Sequence, residues 1–153
     1  MHWLRYWGPA VLWAAAIWFF STSAFSAEAT SSVLLAVLRW LLPSASPETL
    51  QALHGLIRKA AHFLEFLILS MLLLRAVRAD RSGWRLRWAV TAAGIAAGYA
   101  AVDEFHQSFV AERTASLLDV LVDVAGAAAG QMLLWLHFRP RERCTNNRQE
   151  GGT

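Results

Sequence analysis

The residues able to do chemistry in this chain fall into three short blocks. Lys59, His62 and Glu65 are spaced i, i+3, i+6. At ~100° per residue they form one stripe on a helix face, and Glu65 lies ~9 Å along the axis from Lys59. Asp103 and Gln107 are i, i+4, with Glu104 beside them, and Asp119 and Asp123 are again i, i+4. Arg113 and Ser116 stand between the second and third blocks. These types suit two kinds of work. In an enzyme, His62, Glu65 and Asp103 would be the general acids and bases, their proton affinities moved by burial and neighbours. Lys59 and Arg113 would then stabilise developing negative charge. In a binding protein, Lys59 and Arg113 would meet a phosphate or carboxylate. Glu104, Gln107, Ser116, Asp119 and Asp123 would hydrogen-bond polar groups of the ligand.

The surroundings of these blocks are apolar. Of 153 residues, 56% are hydrophobic and 16% charged, against roughly 45–50% and ~25% in soluble globular chains. That argues against disorder, a coiled coil or a typical soluble enzyme, and points to a membrane protein. The net charge of +3 is then read as cytoplasmic loop anchoring rather than nucleic-acid binding. The single cysteine, Cys144, excludes an intrachain disulfide and a cysteine-rich metal site.

Four segments are predicted to span. Tyr6–Ala27 carries no charge and exceeds the ~7–15 apolar residues of a signal-peptide core, so a retained first helix is expected. The second span covers about Leu56–Val77, the third Trp88–Phe109 and the fourth Ala115–Phe138. Ser31–Leu42 is too short to cross, since a crossing takes about 20 residues, and is expected as an interfacial or re-entrant helix. Ser46-Pro47-Glu48 marks a helix start, with Ser46 as N-cap and Pro47 at the first helical position. The basic stretch from Arg139 reads as a disordered cytoplasmic tail after a single domain of residues 1–138. The fold class is therefore all-α, a bundle of about four transmembrane helices.

Orientation follows from Lys and Arg. The side holding both termini and the loop between spans two and three carries ten, and the other side carries Arg39, Arg58, Lys59 and Arg113. The positive-inside rule places both termini in the cytoplasm. The arginines between Arg75 and Arg87, with Trp84 and Trp88, are expected to meet anionic lipid. All three polar blocks then reach the extracytoplasmic side. Ionisable groups in a membrane are costly and are by default functional candidates; the alternative is an ion-paired cluster that sets register.

Spans three and four each carry GxxxG, at Gly94–Gly98 and Gly126–Gly130, a pattern that lets helix backbones approach closely. On the fourth span Asp119, Asp123, Gly126 and Gly130 share one stripe, so the acidic face continues as a packing face. On the third span Asp103 lies roughly 140–180° from the glycines, so that helix is expected to be sandwiched between neighbours. His62 and His106 show none of the dense spacings that specify a metal site, and no metal or cofactor is expected.

At these residues the chain resembles the VanZ-like membrane family. The matching blocks are Arg58–Phe66, Asp103–Phe109 and Glu112–Val120, ending at Asp123 and Gly126. They reproduce a K-x-x-H-x-x-E segment, a D-E-x-x-Q segment and an R-x-x-S-x-x-D-x-x-x-D-x-x-G segment, in that order. The resemblance covers about residues 54–130 and the first span. It implies a small multi-helix membrane protein, and its name-giving member is associated with teicoplanin resistance. The expected partners are membrane lipids and a lipid-linked or cell-wall ligand. A binding or accessory role in the cell envelope ranks first and an enzyme on lipid-linked or cell-wall substrates second. A proton or ion pathway ranks third, because the inner halves of the spans show little polarity.

Overall fold

A computed structural model describes residues 2–21, 27–109 and 116–150 of the chain, with side chains outside 2, 27–31 and 140–150. These residues form five helices and no strand: α1 (His2–Ser21), α2 (Ala27–Leu41), α3 (Pro47–Arg78), α4 (Leu86–Gln107) and α5 (Leu117–Glu150). The all-α expectation is met.

Helix α3 is the hub and touches each of the other four. It begins as its sequence requires. Ser46 is extended at φ −68°, ψ 154°, and its hydroxyl accepts the Thr49 N–H at 3.2 Å, with Pro47 in the first turn. Such a cap satisfies an otherwise orphaned donor. From there α3 runs unbroken for 32 residues, ~48 Å at 1.5 Å per residue. The helix start at Ser46 and the second span are thus one element. It ends at Ala79, whose N–H still bonds the Arg75 carbonyl at 3.1 Å and whose φ of 51° turns the chain out of the helix.

Contacts fix the helix directions. Trp13 Nε1 donates to the Glu65 carbonyl at 2.9 Å, and Tyr6 donates to Asp80, so α1 runs antiparallel to α3. Tyr99 Oη donates to the Ala14 carbonyl at 2.7 Å and Ser21 meets Asp103, so α4 runs parallel to α1. Ser70 on α3 meets Ala127 on α5, while Lys59 meets Asp119, so α5 runs parallel to α3. The N-terminus of α1, the α3–α4 turn and the C-terminal part of α5 therefore share one end. That end is rich in arginine: Arg78 lies over the Phe138 ring at 4.8 Å, Arg85 over Trp88 at 5.1 Å and Arg139 over Trp135 at 4.6 Å. The polar blocks lie at the opposite end.

Two helices, α3 and the Leu117–Arg139 part of α5, are long and apolar enough to cross a membrane. Only 33% and 28% of their apolar windows is buried. On α3 one face is buried through Phe66, Leu69, Leu73 and Leu74, while Leu56, Ile57, Leu64 and Ile68 stay exposed, an apolar outer face that a lipid surround would accommodate. Trp, Pro, Tyr and Gly dilute the apolar signal of α1 and α4, and these two do not reach the same apolarity, so four spans are more than the described helices establish by that measure. Helix α2 contacts α3 alone and buries Leu38, while Val33, Val37 and Trp40 stay exposed. Beyond Arg139, where the sequence reads as disordered, the backbone of α5 continues helical to Glu150; Arg, Glu and Gln are good helix formers.

The core is built from small residues on α4 and large ones on α3. Ala92, Ala96 and Ala100 are 0% exposed and form an i, i+4 ridge against Phe66, Leu69 and Leu73. The α3–α5 seam is closer still. A Cβ on Gly126 would overlap the Phe63 carbonyl oxygen, and one on Gly130 would come within 2.6 Å of the Leu67 oxygen. The GxxxG of α4 does not do this. A Cβ on Gly94 or Gly98 would meet nothing within 4 Å. The expectation that this helix is sandwiched is corrected: α4 packs through its alanine ridge, and its glycine face is open.

Candidate functional site

The seam between α3 and α5 carries the polar blocks toward one end of the bundle. Lys59 is ion-paired with Asp119, with side chains 47% and 21% exposed. An exposed pair of this kind contributes only ~0–1 kcal/mol. One turn deeper, His62 Nδ1 lies 3.6 Å from Asp123 Oδ1, and the Asp123 side chain is 3% exposed. That distance is beyond hydrogen-bond range. Below this point the seam becomes apolar and close-packed at Phe63, Phe66 and Gly126.

A second part of the site joins α1 to α4. Asp103, fully buried, accepts the Ser21 hydroxyl at 2.9 Å and Gln107 Nε2 at 2.7 Å on its Oδ2. Gln107 Nε2 also reaches the Ser21 oxygen at 3.3 Å. Asp103 Oδ1 and Asp123 Oδ1 are buried without a hydrogen-bond partner among the described residues. A buried carboxylate oxygen in that condition costs free energy unless something else satisfies it. Nearby, Trp18 stacks on His106 with ring centroids 4.1 Å apart.

A recess opens where these parts meet, lined by Arg58, Lys59, His62, Gln107, Asp119 and Val122. Its solvent space is about 10 Å3, enough for about one water molecule. Glu65, Asp103, Glu104 and Asp119 all act electrostatically on Asp123. Of these carboxylates only Asp119 lines the recess, together with the cationic groups Arg58 and Lys59, and Asp103 and Asp123 are buried at the same end.

The predicted residues divide by role. Lys59, His62, Gln107 and Asp119 line the recess; Asp103 and Asp123 are buried at the same end. Glu65 is partly buried on the α3 stripe. Glu104 turns toward α5, where its Oε1 accepts the Ser116 N–H at 2.6 Å. Ser116 thus contributes its backbone, and Glu104 anchors the start of α5, where negative charge is favoured. Arg113 lies outside the described residues. Among the described residues no three His, Cys, Asp or Glu side chains converge to hold a metal ion.

Sequence reasoning missed three things. Ser21, the last residue of α1, closes the Asp103 network; its signal was a polar residue ending an apolar run at the right depth. Arg58 lines the recess one residue before the Lys59 stripe. A deeper polar node also exists: Ser70 Oγ donates to the Ala127 carbonyl at 2.9 Å, and Gln131 Nε2 reaches Ser70 O at 2.8 Å and Oγ at 2.7 Å. Ser70 lies eight residues past His62, ~12 Å deeper, and the fully buried Phe66 stands between them.

Comparison with known proteins agrees with the blocks that build this end of the bundle. The family model described as VanZ/LLP1 matches residues 6–138, from the first helix to the end of the α5 span region. No curated protein and no solved structure matches. With Lys59, His62, Glu65, the Asp103–Gln107 block and the Asp119–Asp123–Gly126 stripe all inside that match, the chain belongs to the VanZ/LLP1 family.

Proposed function

We propose that this protein is a membrane-embedded accessory or binding protein of the cell envelope, whose recess recognises a polar or anionic group of a lipid-linked or cell-wall ligand at the outer leaflet. In this reading α1, α3, α4 and α5 all span, α2 lies in the interface, and both termini are cytoplasmic. The alternating helix directions and the ten-to-four division of Lys and Arg support that orientation. Membership of the family makes a glycopeptide-resistance phenotype the first one to examine.

One observation carries the reading. Arg58, Lys59, His62 and Asp119 from α3 and α5 converge with Gln107 of α4 on a recess at one end of the bundle. An anchor alone would need fewer charges, each costly in a membrane. The recess has room for about one water molecule, so a head group would be met at its rim by Arg58 and Lys59. Enzymatic acid–base chemistry on a lipid-linked substrate is the second reading, favoured by the His62–Asp123 approach of 3.6 Å. A carboxylate that orients a histidine is a recurrent catalytic arrangement, and such contacts tighten when substrate binds.

The test uses His62→Gln and Arg58→Gln. Each is expected to abolish the envelope or glycopeptide-sensitivity phenotype while membrane abundance and detergent melting stay within ~1 kcal/mol of the parent. Gln107→Ala is a poor probe, because it removes a hydrogen bond from buried Asp103. If phenotype instead falls in step with abundance, and the apolar pair Lys59→Met with Asp119→Leu restores both, the cluster is structural. Orientation is checked separately at Cys144, the only cysteine. An impermeant thiol reagent should label it only after permeabilisation; strong labelling of intact cells would invert the topology.

A further inference from the structure

At the arginine-rich end, far from the recess, a groove of about 360 Å3 lies between α4 and α5. That volume is within the ~300–1,000 Å3 range of small-molecule sites. Small residues leave room for it: Ala89 and Ala93 of α4 and Ala128 of α5 line it, together with Trp84, Met132 and Trp135. It extends along α5 from Ala128 to Trp135, seven residues or ~10 Å. Gln131 is its one polar side chain, and its amide N–H groups are already committed to Ser70. Leu86, Val90 and Met132 along its edge are 67%, 62% and 57% exposed. The slot therefore opens sideways, toward the place lipid chains occupy around a spanning bundle.

Its mouth is cationic. Arg85 and Arg87 are exposed, flank the lining residue Leu86 in sequence and lie over the ring of Trp88, next to the lining residue Ala89, at 5.1 and 5.7 Å, and Arg139, also exposed, lies over the ring of the lining residue Trp135 at 4.6 Å. Asp80, on the turn preceding them, accepts a hydrogen bond from Tyr6. Guanidinium groups bind phosphate with paired hydrogen bonds, and the cytoplasmic leaflet is the anionic one. Tryptophans at a membrane interface keep their rings at head-group level. An apolar slot with three arginines at its mouth complements one molecule shape: an acyl chain below a negatively charged phosphate.

We propose that the α4–α5 groove is a binding site for one anionic phospholipid of the inner leaflet, with an acyl chain between Ala93 and Ala128 and the phosphate held by Arg85, Arg87 and Arg139. The proposal rests on the cytoplasmic placement of the arginine end and not on the recess at the other end. Strong Cys144 labelling of intact cells would therefore overturn this premise as well, whereas failure of the His62 and Arg58 variants would leave the proposal standing.

The experiment takes the full chain purified in a neutral detergent and adds phosphatidylglycerol or phosphatidylcholine with identical acyl chains. Native mass spectrometry counts bound lipid, and melting reads the stabilisation. The expected result is one retained phosphatidylglycerol per chain, in clear preference to phosphatidylcholine. Arg85→Gln with Arg139→Gln should weaken retention by roughly thirtyfold, at about 1 kcal/mol per basic residue. Ala128→Leu, which fills the slot and leaves every arginine in place, should abolish it. Should that variant accumulate poorly, Met132→Trp narrows the slot from its exposed edge. Equal retention of the two lipids would overturn the proposal. So would phosphatidylglycerol binding that survives both slot-filling variants, which would mean a diffuse charged belt without a groove. A dimer that is lost on filling the slot and unaffected by lipid would assign the groove to a second copy and overturn it likewise.

Discussion

Helices α4 and α5 each carry a GxxxG pattern set among alanines, and the two do opposite things. On α5, Gly126 and Gly130 lie against the backbone carbonyls of Phe63 and Leu67, so α3 and α5 approach to a distance that no side chain would permit. On α4, Gly94 and Gly98 face open space, while Ala92, Ala96 and Ala100 on the other side are fully buried. The pattern states that a backbone is available for close approach; only a partner's backbone at the right depth uses it. In lipid that distinction matters more than in water, because helix association depends on packing and hydrogen bonds rather than on expelling water from apolar surface. The α3–α5 seam has both: glycines at its centre, the Lys59–Asp119 and His62–Asp123 contacts at one end, and the Ser70–Gln131 node at the other.

The largest expected effect is at the centre of that seam. Gly126→Leu must separate α3 from α5 or distort one of them, since the obstacle is the Phe63 carbonyl and not a flexible side chain. The cost should reach or exceed the top of the ~1–3 kcal/mol range of core overpacking, read as loss of membrane abundance and of a cooperative melt. Gly130→Ala should cost less, because its contact is longer. A Gly126→Leu variant that melts like the parent would show that the seam is looser than its geometry.

Next in size is the Ser70–Gln131 node. Ser70→Ala leaves the buried Gln131 amide with one fewer acceptor. Gln131→Leu instead removes the donor to Ser70, whose hydroxyl still has the Ala127 carbonyl. Unpaired buried polar groups cost ~1–3 kcal/mol, although measured interhelical hydrogen bonds in membranes average nearer ~0.6. Ser70→Ala should therefore destabilise more than Gln131→Leu in detergent melts. The reverse order would place the node's stabilisation in the glutamine packing and not in its hydrogen bonds.

Much of this seam was legible in sequence. Spacing alone put Asp119, Asp123, Gly126 and Gly130 on one stripe, and Lys59, His62 and Glu65 on another. Periodicity reports which residues of one helix share a face. It does not report which helix faces them. Asp103 was assigned to a polar face, but its partner Ser21 sits 82 residues away on α1. Glu104 looked like its neighbour's equal, yet it turns to the start of α5 and Asp103 turns into the core, because adjacent helical residues point ~100° apart. The glycines of α4 were read by residue type, whereas alanine, with only one more carbon, forms the buried ridge. Ser70 and Gln131 are isolated polar residues 61 positions apart, and no local pattern joins them.

At the exposed end of the seam the expected effect is small. Lys59→Met breaks a pair whose lysine is nearly half exposed, so stability should change by ~0–1 kcal/mol, with the loss shrinking further as salt is raised. A larger loss that salt does not reduce would mean that Lys59 neutralises the carboxylates around Asp123, and would tie the recess to the stability of the seam.

The smallest effect should come from the other glycine pair, with the opposite sign.

 Gly94→Ala and Gly98→Ala each add a methyl group where nothing lies within 4 Å. Both positions are inside α4, where glycine is less favourable than alanine by ~0.5–1 kcal/mol. Each substitution should therefore raise stability by up to that amount, and the two should add, read as a higher melting temperature in detergent at every protein concentration. Gly94→Leu should be close to neutral for the same reason, in contrast to Gly126→Leu on the seam. The outcome that breaks the comparison is a loss that grows with protein concentration and is accompanied by loss of a cross-linked dimer. Both glycine pairs would then be packing sites, one within the chain and one between chains. A gain that is independent of concentration leaves the glycine face of α4 as surface, with the alanine ridge behind it as the side that holds the bundle together.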